Sequence, residues 1–274
     1  MISWFKKKIK SKSGVNKIHA VSFPKSGRTW LQLMMAKIYS DLCERDINDV
    51  LNDSNPHYRN LKTGEFMPHL FFSHGWHNGR IGQGNYFPEA YYKKSKVFLL
   101  VMDPRDTVIS HYYHSRWRDE DFEGTVSDFL RYPYHGKEPD TRQARFGIGP
   151  IINYMNAWIT NRKLLSDIYI AYYEDFKDDV TCQLTLLCNY VGIAVDNAVI
   201  DTAVDYGSFE NMRKLEEEET LDWHGMAKSK TGKGSKVRKG KIGGFKEELD
   251  QEDNLFLNNE INKKLNPFYE RYIY

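Results

Sequence analysis

The feature that most constrains the fold is a mostly apolar run near the start of the chain, followed by a short turn and an amphipathic stretch. Residues 18–23 form the apolar run, and residues 30–39 repeat apolar side chains with helical spacing. This pattern predicts a strand, a tight turn and a helix. In such a unit, backbone N–H groups and the positive end of the helix dipole can hold an anion. The sequence therefore predicts a phosphate site at residues 23–31.

The residues of the turn support that interpretation. Residues 23–31 read F-P-K-S-G-R-T-W-L. Lys25 places a positive charge over the turn, Gly27 allows the backbone to approach a ligand, and Ser26 and Thr29 add hydroxyl donors. The turn is not the common nucleotide loop, because G-x-x-x-x-G-K-[ST] requires a glycine well before the lysine, and residues 21–24 include none.

A second basic, glycine-rich segment lies near the other end of the chain. Residues 238–246 read R-K-G-K-I-G-G-F-K, within a stretch, 228–246, that holds eight basic and no acidic side chains. The formal net charge is only +2, and residues 1–12 hold a further five basic side chains. A general nucleic-acid binder would spread its positive charge over a face. The clustering favours a local anionic ligand, with a solvated basic loop as the alternative.

The two segments, in this order, resemble the P-K-S-G-T-T-W and R-K-G-x-x-G-x-x-K segments of the cytosolic-type sulfotransferases. In that family the first grips the 5′-phosphosulfate of 3′-phosphoadenosine 5′-phosphosulfate (PAPS), and the second closes over its 3′-phosphate. Arg28 departs from the first motif. The resemblance implies metal-independent transfer of a sulfuryl group from PAPS to a hydroxyl, or an amine, of a small-molecule acceptor.

The resemblance also implies a set of donor contacts. Ser110 matches the serine of an R-[ND]-P-x-D-x-x-x-S segment, although Met102 replaces its arginine, for which Arg105 or Arg28 could compensate. Trp30 corresponds to a tryptophan that stacks on adenine, and a core aromatic is the alternative. The full set comprises Lys25, Ser26, Gly27, Arg28, Thr29, Trp30, Ser110, Tyr173, Ser208, Met212, Arg238, Lys239 and Gly240.

Catalysis needs a base for the acceptor proton and positive charge for the leaving phosphate. Histidine suits the first task, because its pKa lies near neutrality. Residues 72–74, F-S-H, resemble the family's K-T-H segment, which makes His74 the candidate base. Because the family's lysine is phenylalanine here, leaving-group stabilisation falls on Lys25. A core role for His74 is the alternative, with His69, His77 or His111 then next in line as the base.

Length and pattern predict one α/β domain. A chain of 274 residues with 41% hydrophobic content can bury one substantial core. Apolar strands that alternate with helical patterns predict a central parallel β-sheet flanked by helices, with a ligand crevice at the carboxyl ends of the strands. We expect a basic tail over residues 1–14 and a sulfotransferase domain over 15–274. The predicted strands are 18–23, 70–73, 97–102 and 168–172, with helices from about 107 and over about 177–190.

Composition bounds the remaining classes. Cys43, Cys182 and Cys188 form neither an even disulfide set nor a C-x-x-C pair, and they are expected to be reduced core thiols in a cytoplasmic protein. No window approaches 18 apolar residues, so no stable membrane insertion is expected. Because the positive charge is clustered rather than spread over a face, no nucleic-acid partner is expected either. Residues 216–219, all glutamate, are expected to form an exposed helix end.

Two other classes of function share these features. A P-loop kinase or NTPase has the same strand, loop and helix, but it needs magnesium held by a hydroxyl and a carboxylate, and a full glycine-rich loop. A non-catalytic module that binds a nucleotide or a polyanion would use only the basic segments. Comparing the effects of 3′-phosphoadenosine 5′-phosphate (PAP) and ATP·Mg²⁺ on stability separates the alternatives.

Overall fold

The structure, a computed structural model, describes residues 18–53, 57–75, 87–133, 143–229 and 234–274. The predicted tail over residues 1–14 and the candidate His77 lie outside these ranges. The strands are β1 (Ile18–Ser22), β2 (Leu70–Ser73), β3 (Lys96–Val101) and β4 (Asp167–Tyr172). The helices are α1 (Arg28–Cys43), α2 (Ile47–Asn52), α3 (Glu89–Tyr92), α4 (Pro104–Trp117), α5 (Val126–Leu130), α6 (Ile148–Thr160), α7 (Tyr173–Asp178), α8 (Val180–Val191), α9 (Asn197–Tyr206), α10 (Phe209–Glu218) and α11 (Gln251–Lys264).

The four strands form one parallel sheet in the order β2-β1-β3-β4. Val21 of β1 pairs with Ser73 of β2 and with Leu99 of β3. All four strands therefore end at the same edge, where the segments that follow them lead to Lys25, His74, Met102 and Tyr173. The predicted α/β domain with a central parallel sheet flanked by helices is confirmed.

The sheet is covered on both faces, and β3 shows how. Val97, Leu99 and Val101 belong to a buried cluster with α6 and α11. Phe98 and Leu100 belong to a second cluster, with α1 and α8 on the other face. Because side chains of a strand alternate between faces, a continuous apolar run is what a doubly covered strand requires.

Two predicted helix boundaries differ from those observed. Helix α4 begins at Pro104 rather than near residue 107, because the Asp103 carboxylate accepts the Arg105 backbone N–H at 2.9 Å and proline suits the first helical position. The helix expected over about 177–190 is two helices, α7 and α8, separated at Asp179. The Asp179 side chain caps the second by accepting the Cys182 N–H at 2.9 Å.

The cysteine prediction is wrong at one position. Cys43 and Cys188 are buried, but Cys182 is exposed. Cys182 lies in the first turn of α8, where the buried face of the helix is supplied by Leu184, Leu187 and Cys188 instead. In the part of the chain that is described, no helix combines the length and the apolar character needed to cross a membrane.

Helix α4 is tied to the glycine-rich segment by one carboxylate. Asp106 accepts the backbone N–H groups of Gly243 at 2.6 Å and of Phe245 at 3.0 Å. Asp106 is itself buried. A residue in the first turn of α4 therefore fixes a loop that lies more than a hundred positions away in the sequence.

Asp106→Ala is expected to reduce the free energy of unfolding by about 1.5–3 kcal/mol, because two buried backbone donors lose a charged acceptor. Urea denaturation measures the difference. Asp201→Ala, at an exposed position of α9, is the control and should change stability by less than about 0.5 kcal/mol. Equal stabilities for the two variants would contradict a structural role for Asp106.

Candidate active site

A cavity of about 470 Å³ opens at the carboxyl ends of the strands. We call it the strand-end cavity. It is lined by residues that follow all four strands and by the segment 236–241. Of the residues predicted from the sequence, those that line it are Lys25, Gly27, Arg28, Thr29, Trp30, His74, Ser110, Tyr173, Ser208, Met212, Arg238, Lys239 and Gly240. Ser26 is not among them; it is buried, and its N–H donates to the Phe23 carbonyl at 3.3 Å.

The turn between β1 and α1 has the backbone that an anion site requires. Gly27 has φ of 89°, and a Cβ there would lie 2.5 Å from the Tyr173 ring. Both facts favour glycine. Gly27 precedes α1 and offers no side-chain cap, so the first N–H groups of the helix are left without a side-chain acceptor from this position. They remain suited to bind an anion.

Trp30 lies against the core and the cavity at once. Its Nε1–H donates to the Gly207 carbonyl at 2.7 Å, and its ring meets Tyr173 edge-on with centroids 5.6 Å apart. The ring also packs against two of the buried clusters. The two roles expected for this residue, a core aromatic and a ligand platform, are therefore compatible.

Positive charge is concentrated in the cavity without carboxylate partners. None of the ion pairs within the described ranges includes Lys25, Arg28 or Lys236, and all three line the cavity. Burial lowers the pKa of Lys25 to about 7, with further effects from the charges of Lys236 and Arg118. Burial, followed by the charges of Arg118 and Arg28, lowers the pKa of Lys236 to about 8. Such an environment favours a bound anion, which would stabilise the protonated forms.

His74 is held in a defined tautomer. Its Nδ1 lies 3.1 Å from the Ser22 carbonyl oxygen. Because a carbonyl only accepts, Nδ1 carries the proton and Nε2 of the neutral ring has the lone pair. Burial lowers the pKa of His74 to about 3, assisted by the charges of Arg28, Lys236 and Arg145. The ring is therefore neutral at pH 7, the state that a base requires.

The other candidate histidines separate into two groups. His69 packs among the rings of Tyr39, Tyr58 and Phe71, and it does not line the cavity. His111 and His114, both on α4, line it. His111 is buried against Phe23. Because His111 and His114 both lie within a helix, His74 is the cavity-lining histidine that follows a strand directly, among the described residues.

A sulfotransferase domain family model matches residues 84–268. The chain belongs to the sulfotransferase family. A 3-alpha-hydroxysteroid sulfotransferase of Cavia porcellus is 23% identical over 235 residues, which are 82% of this chain and 75% of that protein. This confirms the family and the class of enzyme expected from the motifs, and it decides against a kinase or NTPase. The sulfuryl donor of this family is PAPS, as the two sequence motifs predicted.

Solved structures share the fold. Mouse sulfotransferase SULT7A1 complexed with PAP has a TM-score of 0.60 and 18% identity, over 92% of this chain and 85% of that one. Retinol dehydratase in complex with androsterone and inactive cofactor PAP has a TM-score of 0.56 and 14% identity, over 91% and 80%. At this level of identity the likeness concerns the fold alone.

In this sulfotransferase, Arg105 does not compensate for Met102. Arg105 is buried outside the cavity lining, where its guanidinium pairs with Asp103 at 2.8 Å and donates to Asn258 at 2.8 Å. It joins α4 to α11 and therefore has a structural role. Arg28 does line the cavity, and so does Lys236, which sequence reasoning missed. The available signal was its place in the acid-free basic run, two positions before Arg238.

The second basic segment carries its own counter-charge. Arg238 pairs with Glu248 at 2.5 Å, and its guanidinium lies 4.4 Å from the centre of the Tyr113 ring. Lys239 pairs with the same carboxylate at 3.0 Å. Glu248 therefore orients both side chains, whereas Lys236 has no ion-pair partner among the described residues.

Glu216 holds the start of this segment. It was predicted to be part of an exposed helix end, which is wrong: it is only 5% exposed, whereas residues 217–219 are exposed. It accepts the Ser235 hydroxyl at 2.6 Å and the backbone N–H groups of Lys236 at 2.6 Å and Val237 at 3.2 Å. Arg118 pairs with it at 3.1 Å. These donors offset the free energy of desolvating the carboxylate.

Glu216→Gln is expected to destabilise the fold by up to about 3 kcal/mol, because the largely enclosed Arg118 side chain loses its counter-charge. The amides of Lys236 and Val237 should also exchange with deuterium faster than in the wild type. Urea denaturation and hydrogen exchange measure the two effects. Glu217→Gln, at the exposed neighbour, is the matched control; identical exchange in both variants would contradict this role of Glu216.

Proposed function

We propose that this protein transfers the sulfuryl group of PAPS to a hydroxyl of a small-molecule acceptor, with an amine as the less favoured nucleophile and His74 as the general base. The observation that carries the proposal is the meeting of three parts in one cavity. These are the turn at Lys25, the strand-end His74 and the segment Arg238-Lys239-Gly240. Family membership supplies the reaction class, and the cavity supplies the residues.

The charges of the cavity suit a donor with phosphate groups at both ends of one adenosine. Lys25, Arg28 and the first turn of α1 would bind the 5′-phosphosulfate. Ser110, Arg238, Lys239 and Gly240 would bind the 3′-phosphate. Trp30, Tyr173, Ser208 and Met212, all of which line the same cavity, would contact the nucleoside.

The reaction needs one proton acceptor and one centre of positive charge. As the acceptor oxygen forms a bond to sulfur, the bond from sulfur to the bridging oxygen of the phosphosulfate breaks, and the electron pair of that bond goes to the 5′-phosphate. The acceptor proton goes to Nε2 of His74. Lys25 stabilises the charge that develops on the leaving phosphate. Lys236 and Arg28 add positive charge in the same cavity. The residue two positions before His74 is a phenylalanine and adds none.

The names of the relatives indicate which class of acceptor to test first. One relative is a hydroxysteroid sulfotransferase, and a solved neighbour holds androsterone. We therefore propose an alcohol on a largely apolar skeleton as the first class of acceptor to try, before phenols, sugars and amines. Each class presents a nucleophile that His74 could deprotonate.

The decisive experiment combines binding with turnover. PAP should raise the melting temperature, and ATP·Mg²⁺ should not; a ligand at 100 times its Kd stabilises by about 2.7 kcal/mol. Transfer of label from [³⁵S]PAPS to a hydroxysteroid panel should then proceed in EDTA. Stabilisation by ATP·Mg²⁺ alone would overturn the proposal. PAP binding without transfer to any acceptor class would instead identify a non-catalytic binding module.

His74→Ala is expected to lower kcat by about 10²–10⁴, the usual contribution of a general base, while the Kd for PAP changes little. Steady-state kinetics and calorimetric titration with PAP measure the two quantities. His224→Ala, at an exposed histidine, serves as the control and should match the wild type. A His74→Ala enzyme that turns over normally would transfer the role to His111, whereas loss of folding would indicate a structural histidine.

A further inference from the structure

Lys25 has a side-chain neighbour that the proposed mechanism does not use. Its Nζ lies 3.4 Å from Nδ1 of His114, on α4. Both residues line the strand-end cavity. The two are separated by 89 positions in the sequence, so no local motif brings them together.

The second ring nitrogen of His114 faces a carboxylate. His114 Nε2 lies 3.4 Å from Oδ1 of Asp119, which also lines the cavity. Because a carboxylate accepts, it favours the tautomer with the proton on Nε2, and the lone pair is then on Nδ1, toward Lys25. Asp119 is in turn 3.6 Å from Arg145, which pairs with Asp121 at 2.6 Å. The chain of contacts runs from Lys25 through His114 to Asp119.

His114 is neutral in this setting. Burial lowers its pKa to about 2, and the charges of Lys25, Lys236 and Arg118 act in the same direction. An uncharged ring can accept a hydrogen bond from Lys25 without cancelling its charge. Arg238 shows the contrast, because its orienting partner is the carboxylate of Glu248.

We propose that His114, oriented by Asp119, is a positioning residue for Lys25, which it holds beside the phosphate turn by accepting a hydrogen bond on its neutral ring. This inference rests on the proposed function, in which Lys25 meets the leaving phosphate. A free lysine side chain carries about 2 kcal/mol of rotamer entropy. Fixing the ammonium before the reaction removes part of that loss from the activation barrier.

A carboxylate in the place of His114 would orient Lys25 equally well but would compete with the phosphate for its charge. A residue at position 114 without a hydrogen-bond acceptor would not restrict the rotamers of Lys25. Neutral imidazole satisfies both requirements at once. The Asp119 carboxylate stays one ring further away, where it sets the tautomer without pairing directly with Lys25.

The test is a double-mutant cycle on the full-length chain, with [³⁵S]PAPS and the best acceptor. His114→Ala is expected to lower kcat by about 10- to 100-fold, with a smaller change in the donor KM. In the Lys25→Ala background the same change should have no further effect, because the group through which His114 acts is gone. In the Arg238→Ala background it should retain its full effect.

Two conservative variants extend the cycle. In His114→Asn the side-chain amide oxygen can occupy the place of Nδ1, so this variant should recover most of the lost kcat. His114→Gln extends toward Asp119 and should recover less. The comparison of His114→Asn with His114→Gln tests the positioning role even if His114→Ala folds poorly, since both amide side chains are closer in size to imidazole than alanine is. Equal activities of the two amide variants would overturn the proposal.

The outcomes separate this inference from the proposed function. If neither the wild type nor any variant transfers a sulfuryl group, the proposed function fails, and the positioning role that rests on it fails too. If the wild type is active and His114→Ala is equally harmful with and without Lys25, the positioning role is overturned. A large rise in the acceptor KM in both backgrounds would then indicate that His114 contacts the acceptor.

Discussion

The accumulation of positive charge at the end of a parallel sheet is the constraint on which this structure depends. Lys25, Arg28 and Lys236 share one cavity and have no carboxylate partner among the described residues. Burial lowers the pKa of Lys25 to about 7, and repulsion from the like charges of Lys236 and Arg118 acts in the same direction. No pairing with a carboxylate is needed to place the three cations, because the end of β1 positions Lys25 and Arg28 and the Glu216 carboxylate fixes the backbone at Lys236.

Buried carboxylates stabilise the surroundings without neutralising those cations. Asp106 binds two backbone N–H groups of the glycine-rich segment, and Glu216 binds the backbone at Lys236 and Val237 together with Arg118. Asp106 accepts two main-chain donors, and Glu216 accepts two main-chain donors together with the Ser235 hydroxyl and Arg118. The two carboxylates therefore fix the backbone at residues 236–237 and 243–245. The side chains of Lys236, Arg238 and Lys239, in the same segment, line the cavity.

The sequence predicted the sheet and most of the cavity, because both depend on local patterns. Apolar runs mark the strands, and the turn at Lys25 and the segment from Arg238 can be recognised in isolation. Other features depend on partners that are distant in the chain. Glu216 looked exposed because its donors lie 19–21 positions away, at residues 235–237, and 98 positions away, at Arg118. Arg105 looked available because its partner Asn258 belongs to the last long helix. The contact between Lys25 and His114 was missed for the same reason, because 89 positions separate the two residues. Lys236 was missed although it lies in the basic run, two positions before Arg238.

Donor binding would change the strength of the proposed base. Burial is the largest cause of the low pKa of His74, and the nearby charges of Arg28, Lys236 and Arg145 lower it further. The phosphate groups of a bound donor would offset those charges and so raise the pKa of His74. His74 would therefore be a stronger base in the complex that holds both substrates, where the acceptor proton is transferred, than in a complex with the acceptor alone.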